Sequence, residues 1–233
     1  MLSFLGIGAQ KCATTWLHRT LARHPGVAFP SGKEVHYWNR PDGRSIDWYS
    51  QLFADATKVN GEITPAYALL PVPTIAQIHT LFPDLRLVYL IRNPIERAWS
   101  SARMALSRAE MSHSEASDQW FIDHFNSHGS LARGDYESCI RRWTGVFAPN
   151  QLYVVKYESI QVDPVGVANS CLAHLGLEPF FSSNDLDQLT NPVFQGDGAK
   201  LRPSLQSALS AIYRDRIESL SNYLDQDLSN WHA

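Results

Sequence analysis

The chain has 233 residues, a formal net charge of −3, 44% hydrophobic residues and 18% charged residues. This is the composition of a globular protein, and it excludes recognition of nucleic acid through a global basic field. Any anion site must be local. Three cysteines, Cys12, Cys139 and Cys171, offer neither a disulfide framework nor metal-ligand spacing, as expected in a reducing compartment. The start Met1-Leu2-Ser3-Phe4 lacks the basic region of a signal peptide. No apolar run approaches the roughly 20 residues that span a bilayer. The expectation is a cytoplasmic protein with no integral membrane segment and no nucleic-acid partner. It should form a single domain over residues 1–233.

Leu2 to Ile7 predicts a buried parallel strand. Gly8-Ala9-Gln10-Lys11-Cys12-Ala13 is a small-residue loop carrying one lysine, and Thr14 and Thr15 open an amphipathic helix through Trp16, Leu17 and Leu21. Strand, loop and helix in this order place backbone N–H groups and a positive helix end against an anion. His24-Pro25-Gly26 stops the helix, and Val27-Ala28-Phe29 is a short strand. Lys33-Glu34-Val35-His36-Tyr37-Trp38 follows a Pro-Ser-Gly turn; an extended segment there puts Glu34 and His36 on one side. Lys58 to Ile63 is a weaker strand closed by Thr64-Pro65, and Pro73 to Leu81 reads as a helix.

Leu85 to Ile91 is the clearest strand, followed by Arg92-Asn93 and a helix from Pro94 to about Arg108. Residues 107–130 are polar and read as a mobile insertion or loose helix. A helix over residues 131–147, a strand from Gln151 to Lys156 and a helix from Asp163-Pro164 to Gly176 follow. Residues 178–203 read as loop, and Leu205 to Leu224 as a final amphipathic helix. Alternating strands and helices predict an α/β fold with a mostly parallel central sheet flanked by helices.

The loop is not the ATP-binding G-x-x-x-x-G-K-[ST], because Lys11 precedes the first threonine by three residues. The strongest later strand ends in Arg92, not in a metal-binding aspartate; a guanidinium there can hold a phosphate in a bidentate fork. Ser100, about two turns into the next helix, can face the same crevice.

Taken together, these segments resemble the sulfotransferases that use 3′-phosphoadenosine 5′-phosphosulfate, PAPS. Lys11-Cys12-Ala13-Thr14-Thr15-Trp16-Leu17 looks like their 5′-phosphosulfate loop, and Arg92-Asn93-Pro94 with Arg97 and Ser100 looks like their 3′-phosphate motif. The likeness extends to Gly61-Glu62-Ile63-Thr64-Pro65-Ala66-Tyr67 and Val155-Lys156-Tyr157-Glu158-Ser159. Glu34-Val35-His36-Tyr37 is closest to the heparan-sulfate-type branch. The resemblance implies a P-loop-like nucleotide-binding fold and metal-independent sulfation of an acceptor hydroxyl on a carbohydrate, lipid or natural product. PAPS is the implied co-substrate and 3′,5′-adenosine bisphosphate the product, with no metal.

It further implies Glu34 as general base, Lys11 at the leaving oxygen, and His36 orienting Glu34, contacting the acceptor or acting as base itself. Lys11, Cys12, Ala13, Thr14, Thr15 and Trp16 would line the 5′ end of the donor, and Arg92 and Ser100 its 3′-phosphate. Lys200, Leu201 and Arg202 resemble the late loop over that phosphate, and Phe194 would cover the adenine. Trp16, Trp99 and Trp143 also read as core, and Cys12 as a small space-filling residue. Ile63 stands where the heparan-type enzymes have a lysine. Two other functions remain open from sequence: a kinase-like phosphotransferase, and a non-catalytic nucleotide-binding module.

Overall fold

The computed structural model describes residues 1–40, 42–190 and 199–232. In chain order the elements are β1 (Leu2–Gly8), α1 (Thr14–Leu21), β2 (Val27–Ala28), α2 (Ile46–Gln51), β3 (Val59–Ile63), α3 (Val72–Leu81), β4 (Arg86–Ile91) and α4 (Pro94–Arg108). They continue with α5 (Asp118–Asn126), α6 (His128–Gly134), α7 (Tyr136–Thr144), β5 (Leu152–Lys156), α8 (Tyr157–Val162), α9 (Pro164–His174), α10 (Leu186–Thr190) and α11 (Pro203–Leu224). They fall into two compact units, each discontinuous in sequence: Met1–Ile91 with Arg141–Val193, and Arg92–Ile140 with Phe194–Ala233.

The first unit is built on a five-stranded sheet in the order β2-β3-β1-β4-β5, every pairing parallel. Strands β1 and β4 are buried almost throughout, with Phe4, Leu5, Ile7, Leu87, Val88, Leu90 and Ile91 at 0% exposure. Helices therefore flank the sheet, because a parallel strand buried this way needs cover on both faces. The turn Pro65–Leu69 packs on β1, and α9 packs on β5 and α1. Close strand approach depends on glycine: a Cβ on Gly6 would lie 2.7 Å from Ile63 Cγ1.

The second unit gathers α4, α5, α6 and α11. Its interior holds Arg97 at 0% exposure, whose Nη2 donates to Ser130 O at 3.0 Å, Ser130 Oγ at 3.1 Å and Tyr213 Oη at 3.3 Å. Asn93 caps α4: Oδ1 accepts from Ile95 N at 3.0 Å while Nδ2 donates to Trp231 O at 3.1 Å.

The structure corrects three sequence expectations. Of the two alternatives for residues 107–130, the helical one holds over α5 and the start of α6 and the mobile insertion does not, because Phe121 and Phe125 repeat at i,i+4 and are wholly buried. The predicted helix over residues 131–147 is two helices, α6 and α7, which break at Asp135. The predicted 178–203 loop carries α10, which buries Leu189. Helix α2 also escaped the sequence reading, although Ser45 caps it by accepting from Trp48 N. No described helix is long and apolar enough to cross a membrane.

Candidate active site

The site residues of the first unit start where β1 ends. Lys11 and Ala13 adopt left-handed backbone, with φ of 70° and 65°. Ala9 N donates to Leu90 O at 2.7 Å and Cys12 N to Ala9 O at 3.2 Å, which ties the loop to β4 and to itself. Ala13 is the N-cap of α1 and has no side-chain oxygen to offer. The first amides of a helix have no intrahelical acceptor, so an apolar cap leaves them for an anion. Thr14 and Thr15 lie in the first turn itself. Cys12 is buried at 0% exposure and Trp16 at 7%, with Trp16 Nε1 donating to Leu189 O at 2.8 Å. Both belong to the core, while Lys11 and Thr15 are half-buried.

Glu34 and His36 sit on the loop between β2 and α2 and also have left-handed backbone, with φ of 70° and 61°. The segment is not extended as the sequence suggested, yet the two side chains do meet: His36 Nε2 lies 3.4 Å from Glu34 Oε2. His36 Nδ1 lies 3.1 Å from Asn39 Oδ1, which leaves Nε2 on the side of the carboxylate. Lys33 Nζ pairs with Glu34 Oε1. The Glu34 side chain remains 39% exposed, so its carboxylate is open to solvent.

Beneath this loop lies a polar centre that the sequence did not announce. Glu62, at the end of β3, is wholly buried. Its Oε1 accepts from Tyr49 Oη at 2.5 Å and Tyr67 Oη at 2.9 Å; its Oε2 accepts from Thr64 Oγ1 at 2.8 Å and Val35 N at 3.2 Å. Burial pushes the Glu62 carboxyl above the usual glutamate range, although all four donors pull the other way. Burial and the neighbouring carboxylate likewise raise the Tyr49 and Tyr67 phenols, so both remain neutral donors. The available signal was a glutamate inside a short strand between apolar neighbours. Ile63, next along, points into the core at 0% exposure against Gly6.

Among the predicted site residues of the second unit, Arg92 precedes α4 and grips Glu96 Oε2 through Nε at 2.9 Å and Nη2 at 2.5 Å. Ser100 is half-buried on α4. Arg97, of the same sequence motif, is the core strut described above. Arg202 ion-pairs with Asp118, donates from Nη2 to His113 O at 2.8 Å and Ala116 O at 3.1 Å, and lies over the Phe121 ring. Lys200 is exposed and Leu201 half-buried. Phe194 lies outside the described residues.

A parallel sheet, a lysine-bearing loop feeding an uncapped helix, and a strand-end arginine define a nucleotide-handling α/β protein of the sulfotransferase kind. The sulfotransferase domain model matches residues 3–194, and the chain belongs to that family. The crystal structure of a sulfotransferase from Alicyclobacillus acidocaldarius superposes with a TM-score of 0.76 at 26% identity, covering 100% of this chain and 99% of that one. The human bifunctional heparan sulfate N-deacetylase/N-sulfotransferase 2 is 26% identical over 77% of this chain and 22% of its own length. The human heparan sulfate glucosamine 3-O-sulfotransferase 6 is 27% identical over 74% of this chain and 51% of its own length. The chain thus spans between about a fifth and a half of these two curated relatives.

Proposed function

We propose that the protein transfers a sulfuryl group from PAPS to an acceptor hydroxyl. The observation that carries this reading is the reachable Glu34 carboxylate, held between Lys33 and His36 in a chain that also carries the Lys11 loop. Lys11, Ala13, Thr14, Thr15 and the free amides of α1 would hold the 5′-phosphosulfate. Arg92 and Ser100 would hold the 3′-phosphate, with Lys200, Leu201 and Arg202 beside it and Phe194 on the adenine. For Arg202 this requires exchange of its present partner, Asp118.

The reaction is an in-line displacement at sulfur. The acceptor oxygen forms an S–O bond as its proton passes to Glu34. The bond from sulfur to the 5′-phosphate oxygen breaks, and that oxygen leaves with the electron pair. Lys11 neutralises the charge developing there, where a fixed cation acts more strongly than water. A carboxylate in hydrogen-bond reach of the attacking hydroxyl is the general base this step needs. With Nδ1 facing Asn39, Nε2 of His36 stands 3.4 Å from Glu34 Oε2 as a second site for that proton. No step needs a metal: Arg92 stands where a magnesium-binding aspartate would end β4.

The name of the heparan sulfate glucosamine 3-O-sulfotransferase relative supports a carbohydrate hydroxyl as acceptor. Lipid and natural-product hydroxyls are the next classes. Three buried cysteine thiols fit the reducing cytoplasm as its location. Calorimetry with 3′,5′-adenosine bisphosphate and with ATP, each with and without Mg²⁺, separates this reading from a kinase. Tight metal-independent bisphosphate binding is expected. Binding of ATP alone, and only with Mg²⁺, would refute it. Glu34→Gln should retain bisphosphate binding and lose roughly 10²–10⁴-fold in turnover of labelled PAPS. Unchanged turnover removes Glu34 from the mechanism.

A further inference from the structure

We propose that Glu62 is the positioning residue of the catalytic loop, its buried carboxylate orienting the hydroxyls and the amide that hold Glu34 and His36 in place. The proposal rests on the assignment of Glu34 as general base. It is carried by a set of hydrogen bonds spanning residues 34–38. Glu34 N donates to Ile63 O at 3.1 Å, and Val35 N to Glu62 Oε2 at 3.2 Å. His36 N donates to Thr64 Oγ1 at 3.5 Å, and Trp38 N to Tyr67 Oη at 3.4 Å. Each of these two hydroxyls in turn gives its own hydrogen to Glu62.

The chemistry explains why an ionised or ionisable carboxyl stands here. A carboxylate is an acceptor on both oxygens. By taking the hydrogens of Thr64 and Tyr67, it leaves their lone pairs facing the loop amides. The amides of residues 35, 36 and 38 therefore depend on one group, directly or through a single hydroxyl. The loop needs such restraint, because Glu34 and His36 both hold left-handed backbone that non-glycine residues adopt only under outside constraint. Tyr49, bonded to the same carboxylate, is locked by stacking on the Tyr37 ring at 4.5 Å between centroids. The end of β3 thus fixes where the base stands, although Glu62 itself is wholly buried.

Glu62→Gln keeps the volume but puts an NH₂ where one acceptor was. That group then faces either the Val35 amide and the Thr64 hydroxyl or the two phenols, and one arm of the set must turn. Misplacing a catalytic group by about 1 Å can cost about 10²-fold. We expect Glu62→Gln to lower kcat for conversion of labelled PAPS to the bisphosphate by about 10–100-fold. Bisphosphate affinity should stay within about twofold, while amide exchange at residues 34–38 accelerates and exchange in β1 does not. On the Glu34→Gln background the same substitution should add little further loss, because a residue that acts through another is not additive with it.

Thr64→Val, which cuts only the arm to His36, serves as the second variant should Glu62→Gln fail to fold. It should show the same pattern at smaller size. Unchanged kcat and exchange in the folded variants overturn the proposal. So does a parallel loss of bisphosphate binding, or a full multiplicative loss in the double variant. Wild-type turnover in Glu34→Gln overturns the base assignment instead. Reduced turnover there, with normal turnover in Glu62→Gln and Thr64→Val, overturns the positioning role alone.

Discussion

Tyr49→Phe tests the energetics of the Glu62 centre with the least disturbance. The ring contacts of Tyr49 with Tyr37, Trp38 and Phe53 survive, and only the hydroxyl 2.5 Å from Glu62 Oε1 is lost. A hydrogen bond to a charged group contributes about 1.5–3 kcal/mol. For a chain of this size each kcal/mol moves Tm by about 2–4 °C, so the expected loss is about 3–12 °C where Glu62 is ionised. The pH dependence carries a sign. Burial raises the folded-state pKa of Glu62, so the folded protein holds that proton to higher pH than the unfolded chain. Stability therefore falls as pH rises from the ordinary glutamate value through the raised one.

Removing the Tyr49 hydroxyl takes away a donor that favours the ionised form, so the folded pKa rises further. The loss should be smallest below the ordinary glutamate pKa, where a neutral carboxyl forfeits about 0.5–1.5 kcal/mol. It should grow to its full value above the raised pKa. Thermal melts of both proteins across acid and neutral pH read this difference. A loss that does not vary with pH, or no loss at all, would refute an ionisable Glu62 at the centre of the loop's support.

Two further outcomes are expected. Arg92→Ala should weaken calorimetric binding of 3′,5′-adenosine bisphosphate by about tenfold or more, on the scale of about 1.5–3 kcal/mol for a charge-assisted bond. It should barely change binding of adenosine 5′-phosphosulfate, which lacks the 3′-phosphate; equal losses would move Arg92 elsewhere on the donor. Asn93→Ala removes both the cap of α4 and the bond to Trp231 O, and should lower stability by about 1–3 kcal/mol in denaturant titration. A change below about 0.5 kcal/mol would mean that neither bond matters to the fold.

The parts of this protein legible in its sequence are those set by local patterning. The apolar runs of β1 and β4, the proline at the start of α4 and the lysine loop could all be read directly. Helix α5 was not, because its polar residues outweighed Phe121 and Phe125, and only burial reveals that those two anchor it. The Glu34 loop was found through motif likeness, but its left-handed backbone was not, since that conformation comes from bonds to β3 and its flank. Glu62 was named only as part of a motif. Its donors come from residues 35, 49, 64 and 67, and no spacing rule joins them. Arg97 shows the reverse: it reads as one cation among phosphate-binding neighbours, yet Ser130 and Tyr213 hold it inside the second unit.

The packing of Ile63 against Gly6 limits which side chains the end of β3 can carry. A lysine at position 63 would have to bury its ammonium against β1 or drive the two strands apart, and an uncompensated buried charge costs several kcal/mol. Strand spacing and the charge carried at position 63 are therefore coupled at one residue pair. A variant seeking a cation there would reach it more readily from the partly exposed loop at residues 33–40 than from the end of the sheet.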